Sequence, residues 1–262
     1  MADIHHINGK EIEVDVLEDE ELQDLLHGKL VILQKKEGYR FSVDPILLTS
    51  FVDYREGEKI MDLGTGSGII PLLLAHLKPE NKAEIVGLEL QHEMADMAER
   101  SVAANRMEDE ISIQQGDICS VRRDYKADSF DVVISNPPYI AKGKGQVNPN
   151  ETKALARHEV NVTLADVVDA ARYLTKPKGK VYFIYPVMRL TDLICECRTK
   201  NLEPRRLRFV HANQLSGAKL VMVEAMRDAG AEMKVVRPMI VYNNDGTYTE
   251  EVAEILNEVV PV

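Results

Sequence analysis

The chain has 262 residues, a formal net charge of −11, three scattered cysteines and no tryptophan. This length suffices for one large α/β domain with an ample core. An odd cysteine count argues against a disulfide framework and fits a reduced, cytoplasmic compartment. The N-terminus shows no basic region followed by an apolar stretch, and no apolar run approaches membrane-spanning length, so neither export nor a membrane partner is expected.

In chain order, Asn8-Gly9 sits between two short alternating runs and suggests a hairpin or a mobile start. Leu30 to Gln34, the turn residues Lys35 to Gly38, and Tyr39 to Phe41 read as a second hairpin. Asp44-Pro45 followed by Ile46 to Phe51 reads as a helix, with Asp44 as cap and Pro45 at its first position. From Lys59 onward, strands alternate with helices, the pattern of a parallel sheet with crossover helices. The strands are Lys59 to Leu63, Ile85 to Leu90, Ile111 to Gln115, Phe130 to Ser135 and Lys180 to Tyr185, with Leu207 to His211, Leu220 to Ala225 and Val235 to Tyr242 as the last ones. The helices are Ile69 to Leu77, Glu93 to Asn105, Thr163 to Leu174 and Leu190 to Lys200. Pro71 is tolerable in a first helical turn. Ala141 to Asn150 is polar, contains Gly143, Gly145 and Pro149, and reads as a lid. Cys195 and Cys197 point to different helix faces and read as two buried thiols rather than a metal pair; no metal is expected.

Asn136-Pro137-Pro138-Tyr139 follows an apolar strand directly. This arrangement suits methylation of a planar amino nitrogen, whose lone pair is delocalised and poorly nucleophilic. Fixed oxygens that accept the two N–H hydrogens favour a pyramidal nitrogen with its lone pair aimed at an electrophile. The amide oxygen of Asn136 and the carbonyl of Pro137 can serve. Each proline has a locked φ and no N–H, and Pro138 pushes Pro137 towards an extended conformation. Tyr139 offers a ring on which a planar substrate can stack.

Upstream, Asp62-Leu63-Gly64-Thr65-Gly66-Ser67-Gly68 reads as a strand entering a glycine-rich turn. Such a turn alone is weak evidence, because dinucleotide-binding domains share it. Glu89 ends the next strand about 20 residues on, where a ribose-binding carboxylate belongs. Asp117 follows the third strand and can accept from an adenine amino group. Asn136 ends the fourth. Chemistry at four successive strand ends is more telling than any one motif.

These residues resemble those of class I S-adenosylmethionine-dependent amino-methyltransferases. The best match is the bacterial family that methylates N6 of the adenine beside the anticodon of valine tRNA. Two flanking stretches add to the resemblance. Gly38 to Leu48 is similar to the family's segment over the methionine end of the cofactor, and Asn244 to Glu250 is similar to its closing Asp-x-x-Tyr-Ser/Thr-Glu stretch. The resemblance implies a Rossmann-like fold with a mostly parallel, twisted, seven-stranded sheet and helices on both faces. Residues 1–58 would be an extension of hairpins and a cofactor-covering helix, and residues 59–262 the methyltransferase domain. It implies S-adenosyl-L-methionine as cofactor, held by Phe41, Asp62, Gly64, Gly66, Gly68, Glu89, Asp117 and Asn136. Asn136, Pro137 and Tyr139 would be catalytic, with Pro138, Tyr139, Lys142, Lys144 and Arg157 on the substrate.

Charge distribution bears on a tRNA partner. Residues 1–28 carry nine acids and one lysine, and residues 245–262 carry five acids and no base, which leaves 29–244 at +2. Lys142, Lys144, Lys153 and Arg157 make one basic stretch, and Arg198 to Arg208 another; both are candidate phosphate contacts. Two rivals are weighed. A methylase of a glutamine side chain in release factors shares Asn-Pro-Pro-Tyr but carries a separate helical domain before the cofactor turn. An NAD-binding or non-catalytic Rossmann module would leave Asn136 to Tyr139 unexplained. The oligomeric state is not legible from the sequence.

Overall fold

β1 (Ile4–Ile7) and β2 (Lys10–Glu13) form an antiparallel hairpin, with Gly9 at φ 78° in the connection. Positive φ at a two-residue turn is what lets the strands keep their twist. The computed structural model describes residues 4–7, 9–26, 29–37, 43–137 and 162–257. A second hairpin pairs β3 (Glu20–Leu25) with β4 (Leu30–Lys35). The sequence placed β4 in a hairpin with Tyr39 to Phe41 instead; those residues lie outside the described ones, and the partner of β4 is the acidic segment before it. Glu20 begins that segment buried, its carboxylate clasped by two nitrogens of the Arg100 guanidinium at 2.8 and 2.9 Å. A buried acid closed by a cation 80 residues away leaves no local trace.

Helix α1 (Asp44–Phe51) starts one residue earlier than expected. Val43 takes the cap position and Asp44 is already helical, where its charge favours the positive end of the helix. Pro45 stays in the first turn, where its missing N–H costs nothing.

The strands β5 (Lys59–Leu63), β6 (Glu84–Glu89), β7 (Ile111–Gln115) and β8 (Phe130–Ser135) are parallel, with helices α2 (Ile69–Leu77) and α3 (His92–Ala104) as crossovers and a short α4 (Val121–Asp124) before β8. Next come α5 (Leu164–Leu174), β9 (Thr175–Pro186), α6 (Leu190–Thr199), β10 (Leu202–His211) and β11 (Ala218–Arg227). Two-residue strands β12 (Lys234–Val235) and β13 (Met239–Ile240) lead to α7 (Glu250–Asn257). The sheet runs β7-β6-β5-β8-β9-β11-β10, with β12 and β13 both on the outer edge of β10. β9 is parallel to β8, and β11 is antiparallel to both its neighbours.

Among the described residues the sheet therefore has nine strands rather than seven. Seven are long; the extra two replace the single strand expected over Val235 to Tyr242. Pro238 falls between them and has no N–H for a ladder.

Side chains alternate across the sheet. Ile60, Val132, Tyr182 and Ile184 meet α1, α2 and α7 on one face. Met61, Val133, Val181 and Phe183 meet α5 and α6 on the other. The β3–β4 hairpin docks on α3 by a different device. The Asn105 amide accepts from Val31 N–H at 2.9 Å and donates to Val31 carbonyl at 2.7 Å, and Leu33 N–H donates to Ser101 Oγ at 2.9 Å. Side chains thus take the place of a neighbouring strand. Asn105→Ala leaves the Val31 groups unpaired, so unfolding stability is expected to fall by about 1–3 kcal/mol. A lowered urea midpoint at unchanged m-value checks this; an unchanged midpoint would show that water replaces the amide at no cost.

Candidate active site

The sheet reverses direction of winding at β5, with β6 on one side and β8 on the other. Ligands of open α/β sheets bind in the crevice at this point, beyond the carboxyl ends of the strands. Asp62 pairs in register with Gly87 and Ile134, so the ends of β5, β6 and β8 finish level. This alignment brings Gly64, Glu89 and Asn136 to one rim.

The glycine turn is pinned to β6. Gly64 N–H and Thr65 N–H both donate to Leu88 carbonyl, at 2.9 and 3.0 Å. Gly66 N–H donates to Glu89 Oε2 at 2.9 Å, while Gln91 N–H donates to Oε1 at 3.0 Å. Gly66 has φ 59°, a left-handed conformation that a side chain would strain. Gly68 has φ 84° and caps α2; a Cβ there would stand 3.1 Å from Ala98 Cβ on α3. That glycine therefore sets how closely the two crossover helices approach.

Asp62 is fully buried beneath this turn. Neither of its carboxylate oxygens, nor the Thr65 hydroxyl beside it, finds a partner of good hydrogen-bond geometry among the described residues. Burial is the main cause that pushes its carboxyl up from 3.8 to about 7; the Thr65 hydroxyl opposes the rise and the Glu89 carboxylate adds to it. An orphaned buried carboxylate below a glycine turn is fitted to receive a cation from a bound ligand.

Asp117 is half-buried at the end of β7, where its Oδ1 accepts from Cys119 N–H at 2.8 Å and caps a short 3-10 turn, Ile118–Ser120. Asn136 is half-buried and Pro137 buried, immediately after β8. Phe41, Pro138, Tyr139, Lys142, Lys144, Arg157 and the lid segment Ala141 to Asn150 lie outside the described residues.

Three contributors escaped the sequence reading. Ser135 donates its hydroxyl to Leu63 carbonyl at 2.9 Å and ties the end of β8 to the end of β5, which fixes where Asn136 begins. A polar residue ending an otherwise apolar strand was the available signal. Gly87 leaves room for Thr65: a Cβ there would come within 2.9 Å of it. Leu90, half-exposed directly after Glu89, offers an apolar surface beside the acid.

The second basic stretch is spent inside the fold. Arg198 pairs with Glu203, Lys200 with Asp169, Arg205 with Glu232, Arg206 with Asp53 and Glu224, and Arg208 with Glu251. These cations face the protein's own acids, so their charge is largely balanced within the fold. Of the cysteines, Cys197 is buried, whereas Cys195 and Cys119 are exposed, which corrects the reading of Cys195.

Residues 55–254 match a family model described as "Methyltransferase domain". Among curated proteins, the chain is 32% identical over 156 residues to a tRNA1(Val) (adenine(37)-N6)-methyltransferase of Aeromonas salmonicida; that match covers 60% of this chain and 63% of the relative. It is 26% identical over 216 residues to the protein so named in Aeromonas hydrophila, covering 82% and 88%. Among solved structures, a predicted O-methyltransferase from Agrobacterium tumefaciens superposes with a TM-score of 0.66 at 21% identity, covering 84% of this chain and 98% of that one. That last likeness is one of fold.

A pH dependence follows from Asp62. Its folded pKa lies above the unfolded one, so the folded chain holds the proton more tightly. The group makes no difference below about pH 3.8, stability falls as pH rises towards 7, and the loss is complete above it. Asp62→Asn lacks this loss. The stability gap between variant and parent is expected to widen from pH 5 to pH 8, on the order of 2 kcal/mol. Urea titrations at both pH values read it, and a gap that ignores pH would mean Asp62 ionises normally.

Proposed function

We propose that this chain, which belongs to the methyltransferase domain family, moves a methyl group from S-adenosyl-L-methionine to the exocyclic N6 of an adenine in tRNA, in the anticodon loop. When bound, the cofactor would supply a sulfonium methyl for in-line attack by a nitrogen, with S-adenosylhomocysteine as the leaving group. The chain's own residues fit it. Glu89 receives the ribose hydroxyls, the turn Gly64 to Gly68 lets the backbone approach closely, and Asp117 takes the adenine amino group. The buried, unpartnered Asp62 meets the methionine ammonium. Phe41 covers the methionine end.

The single observation that carries the reading is Asn136-Pro137 set at the rim shared by Gly64 and Glu89. Asn136 Oδ1 and the Pro137 carbonyl accept the two N6 hydrogens and hold the lone pair on the methyl axis. Pro138 and Tyr139 stack the flipped adenine, and the proton leaves to water after methylation. Lys142, Lys144 and Arg157 follow the catalytic strand and meet phosphates. Residues 1–58 act as an extension and 59–262 as the catalytic domain. A cytoplasmic site of action goes with a tRNA substrate, and no helix among the described residues is long and apolar enough to cross a membrane.

The names of the tRNA-methylating relatives support this substrate. The glutamine-methylating alternative shares the Asn-Pro-Pro-Tyr motif. It is disfavoured by the segment before β5, where the described residues form two hairpins and one helix rather than a helical domain.

Asn136→Ala is expected to change S-adenosylhomocysteine affinity by about a few-fold at most while kcat drops roughly 100-fold or more, because the main loss is the acceptor aimed at the reacting nitrogen. Calorimetry and single-turnover methylation separate the two effects; parental turnover would remove Asn136 from catalysis. Mass spectrometry of nucleosides from tRNA treated with the enzyme should show N6-methyladenosine. Methylation of a release factor with tRNA left unmodified would give the substrate to the rival.

A further inference from the structure

A second built feature stands on the carboxyl edge of the sheet, well away from the glycine turn. The rings of Tyr242 and Tyr248 stack with centroids 5.1 Å apart and planes 23° from parallel. A backbone bridge joins the two residues, and the loop between them is closed by Asn243, whose side chain donates to Thr247 Oγ1 at 3.1 Å and to Tyr248 carbonyl at 2.9 Å. Opposite, Leu215 is 90% exposed at the tip of the β10–β11 loop. That loop is also fixed: Leu215 N–H donates to Asn213 Oδ1 at 3.0 Å, and Ser216 Oγ donates to Asn213 carbonyl at 3.0 Å. Between them lies an open cleft of about 520 Å³, lined by Asn213, Leu215, Tyr242, Asn243, Asn244 and Gly246.

We propose that this cleft binds an unpaired base of the RNA substrate, flanking the target nucleotide, with the base stacked between Tyr242 and Leu215. The inference rests on the RNA reading above and adds a specificity subsite to it. Register places the cleft. Ser135 on β8 pairs with Phe183 on β9, Pro186 with Leu220 on β11, Leu220 with Val210 on β10, and Val210 with Met239 on β13. Tyr242 therefore rises from the same edge as Asn136, four strands away, about 19 Å sideways at ordinary strand spacing and several residues further along the strand direction. One strand of nucleic acid can run along that edge from the catalytic rim to the cleft.

The lining favours a nucleobase. An aromatic ring braced by a second ring is a stacking platform that needs no ordering on binding. Asparagine amides offer both donors and acceptors to a base edge. Asn244 makes no hydrogen bond within the described residues, so its amide is available. Lys219, exposed and without an ion pair among the described residues, follows the Leu215 loop and supplies a cation for phosphate.

The test uses the whole chain, unfractionated bacterial tRNA and saturating S-adenosylmethionine. Tyr242→Ala and Leu215→Ala should each raise KM for tRNA by about 5-fold or more, the scale of one lost stacking contact, with kcat within about 2-fold. Leu215 is too exposed for its removal to unfold the chain. Tyr242→Trp should restore the parental KM, and, as the chain's sole tryptophan, its fluorescence should be quenched by tRNA. Parental KM in both alanine variants, or no quench at tRNA concentrations that saturate methylation, would overturn the subsite while leaving the RNA reading intact. A parent enzyme that leaves tRNA unmethylated would overturn both.

Discussion

The Gly66 N–H donated to Glu89 is a short bond with long reach. It joins the turn after β5 to the end of β6, and the Leu88 carbonyl reinforces it by accepting from Gly64 and Thr65. With the turn held there, α2 has one direction in which to leave, and Gly68 lets it lie against α3. The same anchoring roofs Asp62, whose burial and lack of a partner among the described residues follow directly. A carboxylate in that state is a stored cost, retained in a site because a ligand can relieve it. The fold of the glycine-turn face and the cation-binding role proposed for Asp62 thus rest on one constraint.

Ser135 does for the substrate side what Glu89 does for the cofactor side. Its hydroxyl on Leu63 carbonyl couples β8 to β5 beyond the last ladder pair. The two acceptors proposed for catalysis, a side-chain amide and a proline carbonyl, are placed by main-chain geometry that two rigid neighbours define. Little adjustment is left to the site itself, which suits chemistry that depends on alignment more than on proton transfer.

The parts legible in the sequence were those where composition and geometry coincide locally. Short apolar runs ending in Gly64, Glu89, Gly116 and Asn136 declared a parallel sheet and the rim now proposed as its site, because doubly buried strands leave few other choices. What stayed hidden depended on partners distant in the chain. Glu20 to Leu25 reads as an acidic tail until Arg100 folds over it. Arg198 to Arg208 reads as a polyanion site until Asp53, Asp169, Glu224, Glu232 and Glu251 arrive from elsewhere to pair with it, Glu203 alone being local. Pro238 was visible, yet the strand drawn through it ignored the missing N–H. The stacked tyrosines were unreadable for a related reason: a loop of five residues brings them together, and nothing in their spacing distinguishes a stack from two solitary rings.

The Asn105 amide on Val31 has a consequence for how the protein behaves in a crowded solution. A two-stranded ribbon has two open edges, and an open edge is a template for another chain. Here one edge of β4 is occupied by β3 and the other by side chains of α3, so the ribbon presents no continuous row of free donors and acceptors on that strand. A helix cannot be extended sideways as a sheet can. An asparagine and a serine in place of another strand therefore close the β4 edge of the ribbon to strand addition and leave growth, if any, to the β3 edge alone.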